Sequence, residues 1–178
     1  ALPLELARGC VFKCKFCSYD LTNKNFFEFT KNKDVLRNEL MYNYQHFGTQ
    51  YYSVVDDLIN DSEEKVDMLL EVVESLPFPI YISGYCRLDL IWRFPSMASK
   101  LRRIGLIACF MGLETINDAS GRAVGKGLGR QRMEQALEIC KQAWQDQVFV
   151  HGNFILGLPK DTASTAAELI QWGNAMMD

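Results

Sequence analysis

The feature that most constrains the fold is a repeated alternation of strand-like and helix-like segments. Five short stretches rich in apolar and β-branched residues are each followed by a segment with apolar residues at helical spacing. The predicted strands are 4–7, 51–55, 79–83, 106–111 and 148–156, and the predicted helices are 34–47, 61–73, 95–104, 131–144 and 162–176. Strict alternation of this kind predicts an α/β protein with a parallel sheet and right-handed crossovers.

The strand sequences favour a buried parallel sheet. The stretches LIACFMG and FILGL are almost continuously apolar, as expected for strands covered on a face by helices. A doubly wound sheet and a β/α barrel both fit this pattern. A complete barrel typically needs about 250 residues, and the chain has 178. We expect a partial (β/α) barrel of about five to six βα units, forming a single domain over 1–178 that lacks the last unit and any accessory domain.

Composition narrows the setting. The net charge of −3 and the absence of a basic stripe give no direct nucleic-acid signal. The apolar runs are short and interrupted, so no membrane span is expected, and no secretory signal begins the chain. Six cysteines in such a chain are expected to be thiols rather than a disulfide framework. These features predict a cytoplasmic protein.

The unusual polar residues fall where the predicted strands end. In parallel α/β folds the carboxyl ends of the strands meet at one rim, and chemistry gathers there. Every unit of this chain contributes to that rim, which predicts one shared site. Its members are Cys10, Cys14 and Cys17 after the first strand, Asp56 and Asp57 after the second, Arg87 and Asp89 after the third, Glu114 after the fourth, and Gly157 and Pro159 after the fifth.

The three cysteines of the stretch RGCVFKCKFC are the most specific motif. Thiolates suit zinc or iron–sulfur clusters, but a structural zinc takes four ligands, and so does a four-iron cluster that only transfers electrons. Three cysteines leave one iron of a four-iron cluster open to a substrate or cofactor. Unpaired thiols, or a zinc site completed by His46 or His151, remain the alternative.

The spacing of Cys10, Cys14, Phe16 and Cys17 resembles the radical S-adenosylmethionine superfamily. GYCRLDLI, the long stretch GLIACFMGLETINDASGRAVGKG and NFILGLPKDT are similar to segments of its methylthiotransferase and cobalamin-dependent subgroup. In this chain Asn153 stands where that subgroup usually has glycine, and VVDD replaces the Gly-Gly-Glu-Pro that is common elsewhere in the superfamily.

The resemblance implies an enzyme with a [4Fe–4S] cluster and S-adenosylmethionine as cofactors. Cys10, Cys14 and Cys17 would bind three irons, and the fourth would bind the amine and carboxylate of S-adenosylmethionine. Reductive cleavage would give methionine and a 5′-deoxyadenosyl radical that abstracts hydrogen from an unknown substrate. The family also implies an oxygen-sensitive protein, an electron donor such as flavodoxin or ferredoxin, and a partner domain closing the barrel.

Further cofactor-binding residues follow from the same resemblance. Phe16 would pack near the adenine, Glu114 would bind the ribose or the methionine amine, and Arg87 or Arg130 would pair with the methionine carboxylate. The remaining candidates are Asp56 and Asp57 for the amine or the substrate, Asn153 on an inward face shared with His151, and Gly157 for close backbone approach to the adenine.

Each candidate also has a structural interpretation at this stage. Phe16 could belong to the core, Glu114 to a surface salt bridge, and Arg87 with Asp89 to an ordinary ion pair. Lys126, in the Gly-rich VGKGLGR loop, is interpreted as a solvated charge. For the whole chain, the alternative to an enzyme is a non-catalytic iron–sulfur or zinc-binding module.

Overall fold

A computed structural model of the chain describes residues 1–18 and 30–176. It confirms the alternation of strands and helices. The strands are β1 (Leu2–Leu4), β2 (Tyr51–Val54), β3 (Tyr81–Cys86), β4 (Leu106–Glu114) and β5 (Phe149–Phe154). The helices are α1 (Lys33–Phe47), α2 (Glu63–Glu74), α3 (Leu88–Arg93), α4 (Ser96–Ile104), α5 (Asp118–Ala123), α6 (Arg130–Trp144) and α7 (Ala163–Met176), with a 3₁₀ turn at Gln145–Gln147.

The five strands form one parallel sheet in sequential order, β1-β2-β3-β4-β5. A doubly wound sheet reverses its strand order at a switch point, and no reversal occurs among the described strands. Sequential order is the arrangement of a β/α barrel. Within the described residues β1 and β5 each pair on one side only, so the sheet is an arc of such a barrel.

The two faces of the sheet differ in burial. Side chains such as Tyr52, Val54, Cys109 and Met111 point to the helices and are almost fully buried with the helices' apolar residues. The residues that alternate with them along each strand point to the opposite face, where Tyr51 and Tyr85 are about half exposed. This second face, which we call the open face, is not covered by any described helix.

Local sequence signals explain where the first two helices begin and end. Asn32 accepts a hydrogen bond from the Asp34 N–H at 2.8 Å, and Ser62 accepts one from the Lys65 N–H at 3.1 Å. Such N-caps satisfy amide donors that have no partner within the helix. Gly48 ends α1 with φ of 62°, a conformation that favours glycine.

Some boundaries differ from the sequence predictions. β3 begins at Tyr81 rather than at residue 79, because Pro79 has no N–H to donate and the first ladder bond comes from the Tyr81 N–H to the Gln50 carbonyl at 2.7 Å. β1 ends at Leu4, and Ala7 instead pairs antiparallel with Thr30. The short helices α3 and α5 were not predicted, since six residues show too little periodicity.

None of the helices within residues 1–18 and 30–176 combines the length and apolar character required to cross a bilayer.

Candidate active site

The segment that carries the three cysteines, residues 10–17, lies at the carboxyl end of β1; we call it the cysteine loop. Cys10 and Cys14 are half-buried and Cys17 is exposed. The loop turns tightly, with the Cys17 N–H donating to the Cys14 carbonyl at 3.0 Å. Lys15 fixes the loop to the end of α5 through its N–H to the Val124 carbonyl and its Nζ to the Ala123 carbonyl, both at 2.9 Å.

The donor set fits an iron–sulfur cluster better than a single ion. Among residues 1–18 and 30–176, no group of three His, Cys, Asp or Glu side chains is arranged around one ion position. Thiolates that bind three different irons do not converge on one point, so an all-thiol set in one loop is compatible with a cluster. His46, which the zinc alternative would use, instead places Nδ1 2.9 Å from the Tyr42 carbonyl oxygen within α1.

Arg87 connects β3 to the cysteine loop. Its Nη1 lies 3.5 Å from the Cys14 Sγ, and its guanidinium lies 3.7 Å from the centre of the Phe12 ring. Nε and Nη2 bind the two carboxylate oxygens of Asp89 at 2.9 and 2.7 Å. The ion pair considered from the sequence is therefore present, and it touches a candidate cluster ligand.

Asp56 lies beneath the loop in a buried ion pair. One carboxylate oxygen accepts from the Leu6 N–H at 2.7 Å, and the other accepts from Lys65 Nζ at 2.7 Å. The side chains of Asp56 and Lys65 are 2% and 1% exposed. Asp56 is thus occupied with internal partners, one of them the backbone of Leu6 between β1 and the cysteine loop, and a contact with cofactor or substrate stays a prediction.

Asp57 is half-buried next to Cys10. Burial raises the pKa of Asp57, the charge of Asp56 raises it further, and Lys65 opposes the shift. Burial also raises the pKa of Cys10, and the charge of Asp57 adds to that shift. Cluster binding by Cys10 would therefore have to release a proton from a thiol that holds it tightly.

Glu114 ends β4 and is 6% exposed. It has φ of 64°, which is uncommon for a residue other than glycine, and the register with β5 shifts between Gly112 and Glu114. Such irregularities re-aim side chains at the ends of strands. Lys126 Nζ donates to Glu114 Oε1 at 2.8 Å and lies 5.9 Å from the centre of the Phe16 ring.

The structure decides two of the alternatives left open by the sequence. Phe16 is 40% exposed, so it is not a core residue. Lys126 is not a solvated charge, because its side chain is 16% exposed and pairs with a buried carboxylate. Its sequence context, a Gly-rich loop, gave no sign that the lysine folds back over β4. A narrow cleft is lined by Asp89, Gly112 and Lys126.

The remaining candidates lie at the other side of the rim. Asn153 is exposed on the same face of β5 as Phe149 and His151, as strand alternation predicts. Gly157 is exposed with φ of 85°. Arg130 is not directed at the cysteine loop in this structure; it binds Glu134 at 3.0 Å and Glu168 at 2.7 Å, which ties α6 to α7. Cofactor contacts by these three residues stay predictions.

An aromatic row crosses the open face below the rim. The Tyr85 and Phe110 rings lie 5.4 Å apart, and the Phe110 and His151 rings lie 5.8 Å apart. The three residues occupy β3, β4 and β5 at matched positions of the register. They give this face a continuous row of aromatic side chains.

The other three cysteines lie in the core. Cys86, Cys109 and Cys140 are at most 3% exposed. The pKa of Cys109 is raised by its contact with Cys86 and by burial, and burial raises the pKa of Cys140. Burial and raised pKa values are expected of packing residues such as Cys109 and Cys140 rather than of ligands, and Cys86 is buried beside them.

Two curated relatives align with most of this chain. The bacteriochlorophyllide d C-8(2)-methyltransferase of Chlorobaculum tepidum is 22% identical over 97% of the chain and 39% of its own length. The anaerobic magnesium-protoporphyrin IX monomethyl ester cyclase of Synechocystis is 22% identical over 80% of the chain and 28% of its own length. The chain thus spans well under half the length of these relatives.

Solved structures share the fold. TsrM from Kitasatospora setae, a radical S-adenosylmethionine methyltransferase solved with cobalamin and a [4Fe–4S] cluster, superposes on 98% of this chain and 34% of its own, with a TM-score of 0.77 and 14% identity. OxsB, a cobalamin-dependent enzyme solved with aqua-cobalamin and S-adenosylmethionine, superposes on 97% of this chain and 26% of its own, with a TM-score of 0.77 and 17% identity. Coproporphyrinogen III oxidase of Escherichia coli superposes on 99% of this chain and 41% of its own, with a TM-score of 0.69 and 18% identity.

These likenesses confirm the α/β fold of the barrel type. A family model described as the Radical SAM superfamily matches residues 4–173, which is almost the whole chain. That match includes the cysteine loop, Arg87, Glu114 and the end of β5. The chain belongs to the radical S-adenosylmethionine superfamily of enzymes.

Proposed function

We propose that this chain is the core of a radical S-adenosylmethionine enzyme in which Cys10, Cys14 and Cys17 bind a [4Fe–4S] cluster. When bound, the cluster would supply the electron that cleaves S-adenosylmethionine to methionine and a 5′-deoxyadenosyl radical, which abstracts hydrogen from a substrate. The protein's own residues would bind the cofactor, orient it and exclude water.

The observation that carries the proposal is the position of the cysteine loop. It lies at the rim between two buried ion pairs, Asp56–Lys65 on one side and Glu114–Lys126 on the other. Chemistry in barrels of this type is placed at the carboxyl ends of the strands. A non-catalytic iron–sulfur or zinc-binding module would not need charged pairs held at the ends of several strands.

The Glu114 side of the rim is the better candidate for binding S-adenosylmethionine. Glu114 and Lys126 offer an acceptor and a donor at one position, and the Phe16 ring is close to Lys126 and exposed. A carboxylate can bind the ribose hydroxyls or the methionine ammonium, and an exposed aromatic ring can stack on adenine. Asn153 and Gly157 would extend this surface along β5.

The substrate would bind on the open face. Tyr85, Phe110 and His151 form an aromatic row there, below the rim on which the cysteine loop lies. Once a further domain covers this face, the row would form one wall of a chamber that separates a radical from bulk water. We also propose a cytoplasmic setting, where flavodoxin or ferredoxin can donate electrons, and a further domain of the whole protein that closes the barrel.

The test is production of 5′-deoxyadenosine. The chain is reconstituted anaerobically with iron and sulfide, reduced with dithionite in the presence of S-adenosylmethionine, and the products are separated by chromatography. A Cys14→Ala variant is run beside it, with Cys140→Ala as a control that removes a thiol from the core. We expect 5′-deoxyadenosine from the unmodified chain and from the control, and none from Cys14→Ala.

Two results would contradict the proposal. Purified protein that contains zinc and takes up no iron would support a non-catalytic zinc-binding module. A four-iron cluster whose spectrum is unchanged by S-adenosylmethionine, with no 5′-deoxyadenosine formed, would support a non-catalytic iron–sulfur module.

A further inference from the structure

We propose that Arg87 is a positioning residue of the cysteine loop, holding Phe12 and donating an N–H to the sulfur of Cys14. In this role it raises the reduction potential of the cluster that Cys14 helps to bind. The inference rests on the proposed function for the cluster, while the contact of Arg87 with the loop is a property of the protein itself. It differs from the role expected from the sequence, a partner for the methionine carboxylate.

The backbone of Arg87 is fixed by a fully buried asparagine. Asn60 accepts from the Arg87 N–H at 2.8 Å through Oδ1 and donates to the Arg87 carbonyl at 3.0 Å through Nδ2. Asn60 is 0% exposed and lies between β2 and α2. Because both polar groups of the Arg87 peptide are bound by one side chain, the point from which the guanidinium extends cannot shift freely.

The Arg87 guanidinium contacts two partners, Asp89 and Cys14, through different nitrogen atoms. Nε and Nη2 form the edge that binds both oxygens of Asp89, and Nη1 is left to face Cys14 Sγ at 3.5 Å. The bidentate pair fixes the plane of the guanidinium. With that edge occupied by Asp89, a second carboxylate would have to use the Nη1–Nη2 edge, where Nη1 already faces the Cys14 sulfur.

The flat face of the guanidinium completes the contact with the loop. Phe12 lies beneath it, with its ring centre 3.7 Å from the Arg87 Cζ, and Phe12 is two residues from both Cys10 and Cys14. A cation over an aromatic face is attractive, more so where water is excluded. Arg87 is 7% exposed. It therefore holds the middle of the cysteine loop as well as one of its thiols.

This placement has a consequence for the cluster. Hydrogen bonds to ligand sulfurs and nearby positive charge stabilise the reduced, more negative state, so they raise the reduction potential. Loss of the Nη1–Sγ hydrogen bond should lower that potential. A role limited to binding S-adenosylmethionine would change affinity for that cofactor and leave the potential of the cofactor-free cluster unchanged.

The experiment compares Arg87→Gln with the unmodified chain. Arg103→Gln is the matched control, because Arg103 is exposed and pairs with Glu74 on α2, away from the loop. Hydrogen–deuterium exchange of residues 10–17 is measured first, on protein without iron. The midpoint potential of the reconstituted cluster, without S-adenosylmethionine, is then measured by redox titration followed by EPR.

We expect faster exchange of the cysteine loop in Arg87→Gln and not in Arg103→Gln. We expect a potential about 59 mV lower, which corresponds to a tenfold change in a one-electron equilibrium. If Arg87→Gln holds too little iron to titrate, Arg87→Met is measured, which carries neither the positive charge nor an N–H donor for the Cys14 sulfur. A lowered potential in that variant supports the inference, and an unchanged potential contradicts it.

The outcomes separate this inference from the proposed function. Unchanged loop exchange together with an unchanged potential in Arg87→Gln refutes the role of Arg87 while leaving the radical enzyme intact. A chain that assembles no four-iron cluster refutes the proposed function and the tuning role with it. The exchange experiment then still decides whether Arg87 holds the loop.

Discussion

The two halves of the rim are built differently. At the ends of β2 and β3, Asp56 pairs with Lys65 and Arg87 is held by Asn60 and Asp89, and Arg87 contacts the cysteine loop. At the ends of β4 and β5 the Glu114–Lys126 pair is largely buried, while Asn153 and Gly157 are exposed. The first half fixes a loop, and the second leaves groups free to meet a ligand. This division predicts that mutations in the first half affect stability and those in the second affect binding.

We call the half of the rim at the ends of β2 and β3 the fixed half. The largest change in the free energy of unfolding is expected there, from Lys65→Met. The substitution leaves the buried Asp56 carboxylate without its cation, and breaking a buried pair costs about 3–5 kcal/mol. Urea unfolding followed by circular dichroism measures the change. Lys33→Met is the control, because Lys33 pairs with Glu71 at an exposed position and its loss should leave the free energy of unfolding almost unchanged. A Lys65→Met variant as stable as that control would contradict the division.

Gly112→Ala, in the half of the rim at the ends of β4 and β5, should change stability less than Lys65→Met does. It should nevertheless weaken the binding of S-adenosylmethionine clearly. A methyl group at this position would meet Glu114 Oε1 and would lie 2.6 Å from Lys126 Nζ. Both atoms are tips of flexible side chains, so the fold should persist while the pair is displaced. We expect S-adenosylmethionine to bind about tenfold more weakly to the reconstituted protein, which corresponds to one charge-assisted hydrogen bond.

Calorimetry measures that affinity, and Gly173→Ala is the control because its added methyl group meets no atom within 4 Å. An unchanged affinity in Gly112→Ala would show that Glu114 and Lys126 do not bind the cofactor. A large loss of folding free energy would instead place this pair with the fixed half of the rim.

The smallest effect concerns Asp61, the weak point of the fixed half. Its Oδ1 is buried without a hydrogen-bond partner among the described residues, and Lys65 Nζ is 3.5 Å away. Burial raises the pKa of Asp61 and the charge of Asp56 raises it further, while Lys65 opposes both. An acid with a raised pKa in the folded state costs stability once it ionises. Stability should therefore fall as pH rises from about 4 through the raised pKa.

Asp61→Asn should remove that part of the pH dependence and stabilise the protein by about 1 kcal/mol at pH 7. Urea unfolding at several pH values from 4 to 8 measures it. Asp67→Asn, at an exposed position on α2, should leave the slope unchanged. A steeper fall in stability with pH in Asp61→Asn than in the unmodified chain would show that Asp61 stabilises the fold in its charged form.

The fold could be predicted from sequence because burial sets the pattern of each element. The apolar strands and the helical spacing of residues such as Leu36 and Leu40 reflect contacts with the sheet, and both are fully buried. The alternation alone did not distinguish a barrel from a doubly wound sheet, since both produce it, although the sequence analysis favoured a partial barrel. The strand order in the structure confirms the barrel arrangement.

For the candidate site, the sequence predicts which residues lie at the ends of strands but not which side chains they contact. Cys10, Glu114 and Arg87 all follow strands, so their meeting at one rim was foreseeable. Apart from the Arg87–Asp89 pair, their partners were not foreseeable, because long side chains reach over several residues. Lys65 is part of the amphipathic pattern of α2 yet points into the rim, and Lys126 reaches back to Glu114 from a loop.

The EPR spectrum of the dithionite-reduced, reconstituted chain, with and without S-adenosylmethionine, tests the central claim most directly. The account predicts a four-iron cluster signal that changes when S-adenosylmethionine is added, and that is absent in Cys14→Ala. A cluster signal that is identical with and without S-adenosylmethionine would contradict it, as would a fully metallated protein that contains zinc and no iron.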